Sequence, residues 1–107
     1  MHEITRDFVI EVAHSLQRTV DAASSARIHG HSYRVQVAVR GAPDPDSGMV
    51  LDIGLIDQAI APVRARLDHH NLDDLQGLGP ATMENLSRWI FAALAPALPG
   101  LHRISLF

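Results

Sequence analysis

His29-Gly30-His31-Ser32-Tyr33-Arg34-Val35-Gln36-Val37-Ala38-Val39-Arg40 is the stretch whose reading decides the fold. Tyr33, Val35, Val37 and Val39 share one parity, and Ser32, Arg34, Gln36 and Arg40 share the other. Successive side chains of a strand point to opposite faces, so this alternation predicts a half-buried strand over residues 29–40. His29 and His31 then project from one face, and Gly30 leaves the space between them free for a close approach.

Upstream, residues 4–14 predict a second strand in which Phe8, Ile10, Val12 and His14 share a face. Residues 15–28 lack periodicity and read as a loop. Downstream, residues 41–48 are dense in Gly, Pro, Asp and Ser and read as a turn, with a short strand expected at residues 49–51. Asp52 is a helix N-cap, followed by Ile53, Ile56, Ile60, Val63 and Leu67 at helical spacing. Pro62 inside that run removes a backbone hydrogen bond and predicts a bend. Residues 68–80 read as a loop, and Thr82 caps a second helix with Leu86, Ile90, Ala93 and Leu94 on its buried stripe. Residues 101–107 alternate loosely and give a last strand. Two strands, two helices and a strand, without repeat or linker, make a single α+β domain over residues 1–107.

The 107 residues suit one compact core, and 47% hydrophobic with 20% charged residues is the balance of a soluble globular protein. A core this small gains from oligomerisation, the more so because the chain has no cysteine to form a disulfide. The same absence excludes a thiolate metal site and a thiol nucleophile. A net charge of −3 carries no footprint for nucleic acid or an anionic membrane. No apolar run approaches the roughly 20 residues of a bilayer span. The N-terminus lacks a signal layout, so a cytoplasmic location is expected.

Seven histidines in so short a chain point towards metal binding or proton transfer. If the first two strands pair, His14 faces the same volume as His29 and His31 and completes a three-histidine set. Three protein ligands with an open position are the pattern of a catalytic zinc site, although imidazole also suits iron, nickel and copper. The plain alternative is a pair of surface histidines on a strand. Leu67-Asp68-His69-His70 follows the first helix, and an Asp beside a His can form an acid/base unit. A polar helix C-terminus, where His favours the dipole, explains the same residues without chemistry. Glu84, in the first turn of the second helix, is likewise explained by the dipole, or it accepts N–H donors from a guanidine-like heterocycle.

The chain resembles the 6-pyruvoyl-tetrahydropterin synthase / 6-carboxytetrahydropterin synthase family. The stretches that carry the resemblance are Phe8-x5-His14, Ile28-His29-Gly30-His31-Ser32-Tyr33 and Gly48-Met49-Val50-Leu51-Asp52, then Leu67-Asp68-His69-His70-Asn71-Leu72 and Pro80-Ala81-Thr82-Met83-Glu84-Asn85-Leu86. The resemblance implies a T-fold, an antiparallel sheet with two helices on one face, closed into a barrel by oligomerisation as a trimer or a dimer of trimers. Active sites would lie between subunits. It further implies that His14, His29 and His31 bind Zn2+, that Asp68 and His69 form the acid/base pair, and that Thr82 and Glu84 line a pocket for a pterin. The implied substrate is 7,8-dihydroneopterin triphosphate, processed by metal-assisted proton transfer and side-chain elimination or cleavage.

Two departures accompany the match. Bacterial members carry a catalytic cysteine four residues before the first His of the H-G-H motif, where this chain has Ser25, a far weaker acid than a thiol. Members also continue past the last strand to a pterin-anchoring glutamate, whereas the sequence stops at Phe107. These departures set a second expectation beside the first: a zinc-containing T-fold that binds a pterin without synthase turnover.

Overall fold

The computed structural model describes residues 1–15, 23 and 27–107. Its backbone is two long strands, β1 (His2–His14) and β2 (His29–Gly41), then helix α1 (Ile53–Leu67). A two-residue strand β3 (His70–Asn71) and a 3-10 turn (Leu72–Asp74) lead to helix α2 (Met83–Leu94) and strand β4 (Leu101–Leu106). The sheet order is β3-β1-β2-β4.

β1 and β2 pair antiparallel along their whole length, from His2 opposite Gly41 to His14 opposite His29. This register sets Ile10 against Tyr33 and Phe8 against Val35, so the apolar parities of both strands meet on one face. The helices cover that face: Ile56, Ile60, Val63 and Leu67 of α1 and Leu86, Trp89, Ile90 and Leu94 of α2 are buried with the strand residues in one core. Each fully buried aliphatic side chain contributes roughly 1.5–3 kcal/mol relative to exposure. Arg66 of α1 lies 4.7 Å over the Trp89 ring and links the two helices. The opposite face of the sheet is polar, with Arg34 paired to Asp7 at 2.9 Å and the Ser32 hydroxyl donating to Glu11.

The expected elements form, with three corrections. The sheet is mixed rather than purely antiparallel, because β3, inside a segment expected to be loop, pairs parallel with Val12 and Ala13. Residues 49–51 form no strand: the Asp44 amide donates to the Met49 carbonyl and Gly48 N–H to the Asp44 carbonyl, so the loop consumes the groups a strand would offer. Ile53, counted on the buried stripe, is 46% exposed at the start of α1. Pro62 is carried within α1 on its exposed side. The expected loop at residues 15–28 falls mostly outside the described residues.

The Asp52 carboxylate accepts from Gly54 N–H at 2.8 Å and starts α1; Thr82 does the same for α2 through Asn85 N–H. At the other end of α1, Asp68 fastens the helix to the sheet, its Oδ1 accepting the Glu11 amide at 2.8 Å. That amide holds the Asp68 carboxyl below its usual range against the opposing cost of burial, with smaller contributions from Arg64, His69 and His70. A depressed folded-state value means stability that is present above the unfolded value, about 3.9, and lost as pH falls through the folded value. The stability difference between the native chain and Asp68→Asn, followed by urea denaturation, should therefore shrink as pH is lowered from 6 to 2.5. A difference that grows would contradict this.

Gly100 joins the end of α2 to β4 with φ at 83°, and a Cβ there would sit 2.6 Å from the Arg40 carbonyl oxygen. Gly77 has a similar φ of 82° but open space around it. Gly77→Ala should cost about 1–2 kcal/mol for the left-handed backbone alone, and Gly100→Ala clearly more because the β2–β4 contact must also part. Equal losses in urea denaturation would show that the close approach is absent.

Candidate metal centre

The cross-strand register places His14 directly opposite His29, and His31 lies two residues further along β2 on the same face. The three rings meet edge-to-face, with centroids 4.5–4.8 Å apart, and offer ligand nitrogens within 4.8 Å of one another. Three imidazoles in such proximity need either water, protonation or a shared cation between them.

The surrounding hydrogen bonds favour the cation. His14 Nδ1–H donates to the Ala81 carbonyl at 2.8 Å, and His29 Nδ1–H donates to the Arg27 carbonyl at 2.7 Å. A carbonyl can only accept, so both rings keep their proton on Nδ1 and present the Nε2 lone pair. Backbone carbonyls gripping the outer nitrogen are the usual support of a metal-bound histidine. His14 Nε2 is buried without a partner, and such an orphan costs about 1–3 kcal/mol unless something fills its lone pair. Burial pushes the His14 imidazole below its ordinary value, and the neighbouring His31 and His29 push the same way, against the opposing Ala81 carbonyl. Neutral imidazole is the form that ligates. The donor set thus fits a borderline metal such as zinc, and the exposed His31 leaves one side of the centre open. His31 stacks on Tyr33 at 5.6 Å between centroids, which fixes its plane.

The sequence expected Asp68 and His69 as a pair; the two side chains are near each other, and His69 lines a hollow that His31 also lines. His69 adopts φ of 60°, uncommon for a residue with a side chain, and its amide donates to the Glu11 carbonyl at 2.6 Å. The turn exposes the imidazole at the rim of a hollow of about 390 Å³, which His31, Gly30, Ser32 and Glu11 also line. His69 Nε2 stands 3.7 Å from Asp68 Oδ2, an ion-pair distance and too long for a hydrogen bond. His70 also lines the hollow, its Nδ1–H donating to the Asp68 carbonyl at 2.8 Å.

The other expected residues are not gathered here. Thr82 is spent on capping α2, and Glu84 is exposed in its first turn; neither lines the hollow. Ser25 lies outside the described residues. Sequence reading missed the Ala81 and Arg27 carbonyls, since any residue type supplies a carbonyl. It also missed Glu11 and Arg64, although the four-residue spacing of Arg64 and Asp68 at a helix end was a usable signal.

Comparison with known proteins bears on this geometry. Residues 3–107 match the family described as 6-pyruvoyl tetrahydropterin synthase. A 6-carboxy-5,6,7,8-tetrahydropterin synthase of Synechocystis sp. is 36% identical over 107 aligned residues, covering 94% of this chain and 81% of that protein. A 6-pyruvoyl tetrahydrobiopterin synthase of Poecilia reticulata is 43% identical over 76 residues, 67% of this chain but only 52% of the fish protein. The solved structure of Caenorhabditis elegans 6-pyruvoyl tetrahydropterin synthase superposes with a TM-score of 0.90 at 26% identity, over 99% of this chain and 87% of that one. By sequence and by architecture, the chain belongs to the 6-pyruvoyl tetrahydropterin synthase family.

Proposed function

We propose that this chain is a zinc-dependent pterin-processing enzyme acting on 7,8-dihydroneopterin triphosphate or a related dihydropterin, a carbon–oxygen or carbon–carbon lyase. The observation that carries the reading is the buried, unpartnered His14 Nε2, aimed at the meeting point of two further imidazoles. The relatives named as tetrahydropterin synthases supply the substrate class.

In this reading His14, His29 and His31 hold Zn2+, which supplies a Lewis acid for side-chain oxygens of the substrate. His69, exposed at the rim of the hollow, takes and returns the proton. Asp68 stabilises the imidazolium through its charge, at a separation that leaves the ring free to turn. Thr82 and Glu84 bind the pterin, and Ser25 stands at the sequence position where bacterial members are expected to carry a thiol. Residues 1–107 act as a single T-fold domain in the cytoplasm, within a trimer or a dimer of trimers whose sheets close a barrel. The β4 outer edge, without a partner strand among the described residues, supports this, as do the exposed Met49, Ile53 and Leu55. Active sites between subunits would bring Thr82 and Glu84 of one copy towards the hollow of another.

The second reading, pterin binding without synthase turnover, is favoured by Ser25 alone. Mass spectrometry of products after incubating the zinc-loaded protein with dihydroneopterin triphosphate separates the two. Product formation, with roughly 100-fold or greater loss in His69→Ala, is the expected result. Tight pterin binding with no product would establish the second reading.

Metal content tests the centre itself. Purified native protein should hold close to one zinc per chain, and His29→Ala close to none, with circular dichroism confirming that the variant folds. Unchanged zinc in that variant would refute the assignment.

A further inference from the structure

One edge of β1 presents three backbone groups to the end of α1. Residues two apart on a strand offer their N–H and C=O to the same side, so Val9 and Glu11 face the helix together. β3 covers β1 only at Val12 and Ala13, which leaves these groups to partners outside the strand ladder. Glu11 N–H goes to Asp68 Oδ1 at 2.8 Å, and the Glu11 carbonyl accepts from the His69 amide. The Val9 carbonyl accepts from Arg64 Nε at 3.0 Å. The same guanidinium reaches Asp68 Oδ2 through Nη2 at 3.1 Å.

We infer that Arg64 is a positioning residue for the Asp68–His69 pair: anchored on the Val9 carbonyl, its guanidinium holds the carboxylate oxygen that faces the His69 ring. This inference rests on the acid/base role proposed above for that pair. With Oδ1 committed to Glu11 and Oδ2 to Arg64, the carboxylate is fixed in rotation and its charge is shared before His69 reaches it. Arg64 on α1, His69 and His70 on the following segment, and the Glu11 amide on β1 are the groups that face Asp68. The carboxylate of Glu11 is engaged with the Ser32 hydroxyl instead. Arg64 is about half exposed, and an exposed four-residue helix pair adds only a few tenths of a kcal/mol to stability. Its effect belongs to orientation and charge at the pair rather than to folding.

The experiment compares Arg64→Met and Arg64→Lys with the native zinc-loaded protein, using dihydroneopterin triphosphate as the probe. In Arg64→Met the Asp68 carboxyl, followed by carbon NMR and assigned with Asp68→Asn, should titrate at higher pH than in the native chain. Turnover should fall roughly three- to tenfold in kcat with KM within about twofold, and Arg64→Lys should recover most of the loss. An unchanged Asp68 titration overturns the inference, as does unchanged kcat in Arg64→Met when Asp68→Asn is impaired. If Asp68→Asn itself retains full turnover, the acid/base reading of the pair fails, and the inference that Arg64 positions it for catalysis fails with it. In that event a moved Asp68 titration still shows the clamp, which distinguishes the two failures.

Discussion

The pairing of β1 with β2 is the constraint on which the rest depends. A strand has a period of two, so a slip of β1 by one residue would turn Ile10 and Val12 away from the helices that the β2 valines still face. The same slip would send His14 to the face opposite His29 and His31. Core and histidine cluster are therefore specified together by one register. The apolar residues along both strands enforce it, and the histidines at its end converge as a consequence of that register. A histidine cluster that had to assemble itself would first have to overcome the crowding of three polar rings.

Burying His14 is unfavourable on its own, because its inner nitrogen finds no hydrogen-bond partner. The fold tolerates this at one point among many well-packed aliphatic residues, and the cost is small beside the summed burial of the core. The left-handed backbone at His69, beside the hollow that His31 lines, is a second local departure. Both departures cluster where chemistry is proposed, which is where local strain is most often retained in folded proteins.

Much of this was legible in the sequence. The alternation from Tyr33 to Val39 specified β2, and its parity already put His29 and His31 on the inner face. The caps Asp52 and Thr82 marked both helix starts to the residue. What escaped were features governed by backbone groups. The parallel β3 pairing involves only two residues and has no pattern to recognise. The loop before α1 closes through main-chain bonds around Asp44, so its Met49, Val50 and Leu51 read as strand on hydrophobicity alone. At the site, ligand types were readable from spacing, but their supporting carbonyls were not. The separation of Thr82 and Glu84 from the hollow depends on tertiary geometry that one-dimensional spacing does not contain.

The hydrogen bond from His14 to the Ala81 carbonyl joins two places 67 positions apart in the chain. One end is a prospective ligand on the sheet; the other is the peptide immediately before the cap of α2. Such a tether makes occupancy at one end and order at the other thermodynamically reciprocal. An ion that fixes the imidazole would also steady the residues opening α2, and whatever those residues grasp would tighten the grip on the ion in equal measure. The histidine cluster and the start of α2 would then communicate through a single hydrogen bond between a ring and a peptide.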